Sequence, residues 1–390
     1  MSGLDELRAA LDGVDRRLIE ALARRQDLVR EITALKAGSE TPLRDRAREE
    51  EILTRLGDLG ADAGLDRHFV TRIFHEVLEQ SVRRQQEALV ARDNPARGAD
   101  HPLVVGYLGG EGSYSHQAAT RHFGGAERDV EHRAGRSFAA LVDLVVEGSA
   151  DHAILPIENT TAGSIHEVYD LLRERDVVLV GEEVQRVDHC LLGVGAIDPS
   201  KVRRVLGHPQ ALTQCSRFLG RLQDCRTESV SDTATAARRV AEENDLSQAA
   251  LANEVAATRY GLQVLARDVA NEPENLTRFV VVAREALEFD PRIPCKTSIV
   301  FATRHEQGAL VRVLRILADR GLNLTKIESR PRPGSPWKYV FYLDFEGRLG
   351  TAEVSGALAE LEPLTENLKL LGSYPAKTVD EARPAEPRGS

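Results

Sequence analysis

The sequence predicts a multidomain protein in which an all-α region, an α/β region and an α+β region follow one another. Three observations support this: a helical repeat over 4–36, an alternation of strands and helices from Leu103, and a βαββαβ order from Lys296. The chain has 390 residues, more than one ordinary hydrophobic core accommodates. We expect domains at 1–90, 102–285 and 296–374, with a linker at 91–101 and a disordered tail at 375–390.

The composition excludes several classes of protein. The net charge of −10 argues against a general nucleic-acid or membrane-surface binder, since both need a basic surface. The N-terminal residues lack the basic and apolar segments of a signal peptide, and no apolar run approaches the roughly 20 residues of a membrane span. Four cysteines without a C-x-x-C pair indicate reduced thiols and no structural metal. We therefore expect a cytoplasmic protein.

The first helix is unusually long. Apolar residues recur at helical spacing from Leu4 to Leu35 without an intervening proline, which predicts about 33 helical residues and about 50 Å. Shorter helices are expected near 44–57 and 66–90. Because two short helices cannot cover one long helix, its apolar stripe should pack against a second copy of the chain. The region is therefore predicted to form an intertwined helical dimer.

Cations lie on the apolar face of this helix. Arg25 and Lys36 are eleven residues apart, close to three turns, so they share the face of Val29 and Ile32. A charge there is costly unless an anion meets it, although Lys36 alone could simply complement the helix dipole. The next two predicted helices also carry polar residues along one face: Asp45, Arg48 and Glu49 on the second helix, and Ser81 and Gln85 on the third. Together with the cations, these rows favour a pocket for a small polyanion.

Six short motifs run through the helical region: Leu7-Arg8, Arg24-Arg25-Gln26, Leu35-Lys36, Arg44-Asp45, Arg48-Glu49 and Ser81 to Gln86. With these motifs, residues 4–90 resemble the all-helical chorismate mutases. That resemblance implies a site that needs neither a nucleophile nor a proton transfer, because a rearrangement requires only positioning and stabilisation of charge on the ether oxygen. The implied roles are Arg8 of a second copy, Arg25 and Arg48 at the carboxylates of chorismate, Lys36 and Gln85 at the ether oxygen, and Glu49, Asp45 and Ser81 at the ring hydroxyl.

The middle region alternates short strands, small polar loops and helices, which predicts an α/β domain with a largely parallel sheet. Loops at 109–115, 156–164 and 207–210 each precede a helix. The first could bind a dinucleotide, but its third small residue is Ser115 where that motif has Gly or Ala. Binding of a carboxylate at free helix amides is the preferred interpretation, and simple N-capping is the alternative.

The segments Thr277-Arg278-Phe279, Pro156 to Thr160 and Gly112 to Ser115 together resemble the prephenate dehydratases over 103–284. The resemblance implies a two-lobed, periplasmic-binding-protein-like domain without a cofactor. It implies Thr277 as the catalytic hydroxyl, which we expect to hydrogen-bond the departing hydroxide. His116, His189 and His208 could be general acids, but capping or packing roles are favoured. The implied prephenate-binding residues are Ser113, Asn159, Thr160, Gln214, Thr277 and Arg278, the last as partner of a substrate carboxylate.

The βαββαβ order of the last region is that of a ferredoxin-like domain. Two motifs within it resemble the ACT domain of phenylalanine-controlled dehydratases over 296–374: Gly308-Ala309-Leu310-Val311 and Glu328-Ser329-Arg330-Pro331. The resemblance implies that phenylalanine binds between ACT domains of two chains and inhibits the dehydratase, so a homodimer or higher homo-oligomer is expected. Two alternatives stay open: a mutase–dehydrogenase fusion that uses a nicotinamide cofactor, and a non-enzymatic amino-acid sensor.

Overall fold

The computed structural model of the chain describes residues 3–35, 43, 46–94, 101–126, 129–304, 306–332 and 338–377. These residues form two compact units. The first is Met1–Arg97 with Glu288–Ile293, and the second is Gly98–Leu287 with Pro294–Ser390. Most of the predicted tail, from residue 378 onward, lies outside the described part. Among the described helices, none is long and apolar enough to cross a membrane.

The first unit consists of helices α1 (Gly3–Leu35), α2 (Arg46–Asp62) and α3 (Arg67–Asp93). The predicted long helix is confirmed, since α1 has 33 residues. Asp66 starts α3 by accepting a hydrogen bond from the Phe69 amide at 2.7 Å. Helix α3 continues through Asp93, so the predicted linker is still helical at its beginning.

The apolar stripe of α1 faces outward within the described chain. Leu11 is 61% exposed, and Leu7 and Leu18 are similarly open. A stripe of this size on a single helix is typical of a protein–protein contact. The stripe is consistent with the predicted second copy, which stays a prediction.

Residues 288–293 belong to the first unit through polar contacts with the end of α3. Asn94 and Glu288 exchange two hydrogen bonds, at 2.7 and 2.8 Å. The Asp290 carboxylate accepts from Arg92 at 2.9 Å and from Arg292 at 2.7 Å. The hydrogen bond from the Arg292 guanidinium holds the pKa of Asp290 well below its usual range. This segment follows the middle domain in sequence and nevertheless completes the helical unit.

The second unit begins with a two-lobed α/β region. The chain leaves the first sheet after residue 186 and returns to it at 276, so the residues between form a separate lobe. The first lobe contains β1 (Leu103–Leu108), α4 (Tyr114–Phe123), β2 (Val130–Gly135), α5 (Phe138–Val146), β3 (His152–Asn159), β4 (Gly163–Ser164), α6 (His166–Glu174), β5 (Val178–Arg186) and β11 (Leu276–Ala283). The second contains β6 (Cys190–Gly193), β7 (Arg204–Gly207), α7 (Pro209–Gln214), α8 (Ser216–Leu219), β8 (Arg226–Ser229), α9 (Thr233–Glu243), β9 (Gln248–Ala252), α10 (Glu254–Tyr260) and β10 (Gln263–Ala266).

Both sheets are mixed, so the prediction of a largely parallel sheet is wrong. The strand orders are β2-β1-β3-β11-β5 and β10-β6-β9-β7-β8. Strand β1 pairs in parallel with β2 and β3, whereas β11 runs antiparallel to both β3 and β5. The strands on either side of the two crossings between lobes, β5, β6, β10 and β11, pair antiparallel with their neighbours.

The C-terminal region has the predicted ferredoxin-like order. Its elements are β12 (Cys295–Thr303), α11 (Ala309–Asp319), β13 (Leu324–Pro331), β14 (Tyr339–Glu346), α12 (Ala352–Leu361) and β15 (Thr365–Pro375). The sheet is antiparallel in the order β13-β14-β12-β15, and Phe301, Leu343 and Phe345 are buried in its core. Val300, Tyr342 and Tyr374 instead share a hydrophobic cluster with α5 and α6 of the first lobe.

Candidate active sites

The first candidate site lies between α1 and α3. The Arg25 guanidinium donates to the Ser81 hydroxyl, which donates in turn to the Val77 carbonyl at 2.7 Å. Partial burial lowers the pKa of Arg25, but a guanidinium stays charged at any physiological pH. The structure therefore brings together a cation and a hydroxyl that the sequence assigned to one anion-binding pocket.

The other predicted residues of this pocket are more open. Gln85 lies one turn after Ser81 on α3 and is half-buried, as is Glu49 on α2, whereas Arg48 is exposed. Arg8 is exposed on α1, seventeen residues before Arg25, which corresponds to about 25 Å along a helix. Arg8 therefore cannot reach the Arg25 pocket of its own chain. The predicted residues Lys36 and Asp45 lie outside the described part of the chain.

The second candidate site centres on Thr277 in β11. Its hydroxyl oxygen accepts a hydrogen bond from Asn159 Nδ2 at 2.9 Å, and the two residues pair across strands β3 and β11. Thr277 is only 8% exposed. Asn159 Oδ1 accepts from the backbone amides of Thr161 and Ala162, at 3.1 and 2.9 Å. These bonds fix the orientation of the Asn159 amide, so its donor group points at Thr277.

The second lobe contributes Gln214, at the end of α7. Its Nε2 donates to the Thr161 hydroxyl at 2.5 Å, so the two lobes meet at this site. Its Oε1 lies 2.9 Å from His189 Nε2, and because an amide oxygen can only accept, His189 donates. The Thr160 hydroxyl accepts from the Leu276 amide at 3.0 Å, which holds the 160 loop against β11.

Ser113 and two of the histidines form local caps. The Ser113 hydroxyl accepts from the His116 amide at 3.2 Å at the start of α4 and donates to the Leu108 carbonyl. His116 accepts from the Gly112 amide, and His208 accepts from the Gln210 amide at the start of α7. Burial lowers the pKa of His116, His189 and His208, so all three are neutral at physiological pH. These contacts agree with the capping interpretation.

Arg278, implied as the partner of a substrate carboxylate, contacts carboxylates of the protein itself. Consecutive residues of a strand point to opposite faces, so Arg278 faces away from the Thr277 site. It donates to Glu182 Oε2 at 2.7 Å and to Asp344 Oδ2 at 2.6 Å, and is part-buried between them. Its carboxylate partners thus belong to the protein. The sequence could have indicated this orientation, because side chains alternate between the two faces along the predicted strand β11.

One residue at this site was absent from the predicted set. Asn275 is 1% exposed and its Oδ1 accepts from Asn159 Nδ2 at 2.7 Å. Within the described residues, its Nδ2 has no hydrogen-bond partner, which is rare for a buried amide. Asn275 directly precedes β11, and it lies on the same side as Thr277 because both accept from Asn159 Nδ2.

The predicted effector motifs occupy distinct places in the C-terminal domain. Gly308 has a φ of +74° and directly precedes α11, on which Val311 is 65% exposed. On β13 the residues alternate, so Ser329 and Pro331 are exposed while Glu328 and Arg330 are half-buried. The last two contact the first lobe: Glu328 accepts from Ser164 at 2.6 Å, and Arg330 donates to Asp170 at 2.8 Å.

Three family models match the chain in series. Chorismate mutase type II matches residues 7–86, Prephenate dehydratase matches 105–287, and the ACT domain matches 298–363. The class of protein is therefore an enzyme that joins a mutase domain, a dehydratase domain and an ACT domain in one chain.

Similar proteins identify the family. The bifunctional chorismate mutase/prephenate dehydratase of Escherichia coli strain K12 is 41% identical over 377 residues, which cover 96% of each chain. A solved prephenate dehydratase from Arthrobacter aurescens, in complex with L-Phe, is 27% identical with a TM-score of 0.63, covering 71% of this chain and 93% of that one. A structure described as GqqA, a novel type of quorum quenching acylase, is 32% identical with a TM-score of 0.62, covering 70% and 98%. The chain belongs to the bifunctional chorismate mutase/prephenate dehydratase family.

The chain is accordingly an enzyme with both activities, the isomerisation of chorismate and the dehydration of prephenate. The two alternatives drawn from the sequence, a dehydrogenase fusion and a non-enzymatic sensor, are therefore set aside.

Proposed function

We propose that two copies of the chain together form each chorismate site. Arg8 of one copy joins Arg25 and Arg48 of the other at the two carboxylates of chorismate. The distance of about 25 Å along α1 between Arg8 and Arg25 supports this division, because it exceeds the reach of an arginine side chain. The exposed leucines of α1 provide the surface on which the second copy packs.

The remaining residues act on the breaking bond and on the ring. Lys36 and Gln85 donate hydrogen bonds to the ether oxygen, on which negative charge grows in the transition state. Glu49 accepts from the ring hydroxyl, with Asp45 and Ser81 beside it. The contact between Arg25 and Ser81 supports a shared pocket beside the middle of α3.

For the dehydratase we propose that prephenate binds where the lobes meet, against Ser113, Asn159, Thr160, Gln214 and Thr277. The single observation that carries this proposal is the hydrogen bond from Asn159 Nδ2 to the Thr277 oxygen. Because that bond occupies a lone pair of the oxygen, the hydroxyl proton is free to point to the substrate. Thr277 then donates to the departing hydroxide while carbon dioxide leaves and the ring becomes aromatic.

One assay tests the two proposed sites in sequence. The full chain is supplied with chorismate and no added cofactor or metal, and both products are followed. We expect prephenate to appear first and phenylpyruvate to follow, and a later addition of a nicotinamide cofactor should change neither rate. Prephenate that accumulates without forming phenylpyruvate would contradict the dehydratase site.

We further propose that phenylalanine inhibits the dehydratase by binding between ACT domains of two copies, in a cytoplasmic homodimer or higher homo-oligomer. The exposed faces at Val311 and at Ser329 and Pro331 support such a site, with Gly308, Ala309 and Leu310 at the start of α11. Calorimetric titration of the full chain with phenylalanine tests this. Heat of binding together with a lower dehydratase rate is expected, and the absence of both would contradict it.

A further inference from the structure

A cluster of buried charges joins the catalytic strand β11 to the C-terminal domain. Arg278 uses all three of its guanidinium nitrogens: Nε donates to Glu182, Nη1 to Asp344, and Nη2 to the Tyr374 hydroxyl at 2.9 Å. Glu182 lies on β5 of the first lobe, whereas Asp344 and Tyr374 lie on β14 and β15. The side chain of Arg278 is 14% exposed and that of Glu182 is 0% exposed.

Every member of the cluster has further partners. Glu182 Oε1 accepts from Lys296 Nζ at 2.9 Å and from the Lys377 amide at 2.7 Å. Asp344 Oδ1 accepts from the Ser298 hydroxyl at 2.6 Å, and that hydroxyl lies 2.7 Å from the Tyr374 hydroxyl. Two cations and two carboxylates therefore balance in charge, and their oxygens are held in defined directions. A buried network that is satisfied in this way is rigid.

This cluster lies directly behind the catalytic hydroxyl. Thr277 and Arg278 are consecutive, so one peptide unit separates the bond to Asn159 on one face of β11 from the bonds to Glu182 and Asp344 on the other. Rotation of the strand about its axis would have to break bonds on both faces. A displacement of about 1 Å at a reacting group can lower a rate roughly 100-fold, so a clamp of this kind matters for catalysis.

We infer that Asp344 of the C-terminal domain is a positioning residue for the dehydratase reaction, acting through Arg278 on the orientation of Thr277. This inference rests on the proposed role of Thr277. It assigns to the C-terminal domain a part in the basal reaction, in the absence of any effector. The first lobe supplies only one of the two carboxylates that hold Arg278, and the second comes from β14.

The test compares Asp344→Asn with Asp344→Glu in the full chain. The asparagine keeps the shape and loses the charge, so we expect the dehydratase kcat to fall about tenfold while KM changes by less than about twofold. The glutamate restores the charge and should recover part of the lost rate. Glu360→Gln is the matched control, because Glu360 pairs with Arg320 inside the C-terminal domain and should leave kcat unchanged.

A double-mutant cycle separates positioning from general loss of structure. Arg278→Lys keeps the charge but cannot hold three partners. Its loss of kcat should not add to that of Asp344→Asn, because both substitutions disrupt the same contact between Arg278 and Asp344. Unchanged kcat in a folded Asp344→Asn variant would overturn the inference. So would additive losses accompanied by a lower Tm and no recovery with glutamate. Absence of dehydratase activity in the unaltered chain would instead refute the proposed function.

Discussion

The two candidate sites of this chain differ in how far a single copy buries and pairs their side chains. In the helical unit, Arg25 and Ser81 are in contact, but Arg8 and Arg48 are exposed. In the dehydratase, Asn159 and Thr277 are both buried and are hydrogen-bonded to each other. The first site is open and cationic within one copy, whereas the second is closed and made of neutral groups.

This difference follows from the chemistry of the side chains. Long cationic side chains remain hydrated at a surface until an anion binds, so they tolerate a site in which some of the binding residues are absent. A buried hydroxyl or amide has no such freedom, because an unpaired buried polar group costs about 1–3 kcal/mol. A cationic site can therefore stay open within one copy, as the proposed two-copy site requires, whereas the amides and hydroxyls must be satisfied within their own fold.

The largest effect is expected at the closed site. Thr277→Val removes the hydroxyl and keeps the shape, so the dehydratase kcat should fall by about 100-fold or more, whereas Thr277→Ser should retain activity to within about tenfold. Steady-state rates of phenylpyruvate formation measure both. The mutase rate of each variant serves as the control and should not change. Equal losses in the two variants would indicate that Thr277 serves packing alone.

The next effect is expected at the open site. Leu11→Asp puts a charge on the exposed stripe of α1, where a single copy tolerates it but a second copy would bury it. We expect loss of the dimer of helical units and a mutase rate lower by about 100-fold, with the dehydratase rate preserved. Asp12→Asn, one position away, is the matched control. A normal mutase rate in Leu11→Asp would show that one copy suffices.

A smaller effect concerns the pH dependence of the mutase. Gln85 is an amide and donates at every ordinary pH, so the unaltered chain should show no acid optimum from this position. Gln85→Glu needs a proton to donate, and because an ordinary glutamate has a pKa near 4.3, its mutase rate should fall by roughly 80-fold from pH 5 to pH 7. Mutase rates of both proteins measured over this pH range test the prediction. The same pH dependence in Gln85→Glu and in the unaltered chain would show that Gln85 does not donate to the ether oxygen.

Substitution of Asp290 should leave both activities unchanged and should alter stability alone. The pKa of Asp290 is lowered in the folded state, so its contribution is present above the unfolded value near pH 3.9 and is lost as pH falls through the folded pKa. Asp290→Asn should lower the free energy of unfolding of the helical unit by about 2 kcal/mol at pH 7. Urea unfolding should show this difference shrinking below about pH 4. A difference independent of pH would contradict the role of the charge.

Local patterns predicted much of this fold. The helical repeat from Leu4 to Leu35 defines α1, and the ferredoxin-like order follows from strands and helices that are regular in themselves. The pairing of Thr277 with Asn159 joins residues far apart in sequence, and no local pattern specifies it. No local pattern specifies the antiparallel direction of β11 either.

The candidate sites were predictable to different degrees. Asn159, Gln214 and Thr277 were named from motifs, and the structure brings them together. The contacts of Arg278 with Glu182 and Asp344 were not predicted, because its motif was considered without the alternation of strand faces. The contacts of Glu328 and Arg330 with the first lobe depend on the association of two folded regions, which neither segment reveals alone.

Mixing of inactive variants tests the contrast between the two sites most directly. Arg8→Ala and Arg25→Ala should each abolish the mutase, but after unfolding and refolding together, random pairing should restore about one quarter of the normal rate, since half the dimers contain one intact site. The matched mixture of Thr277→Val and Gln214→Ala should restore no dehydratase activity, because that site lies within one copy. Failure of the first mixture to recover, or recovery in the second, would contradict the account.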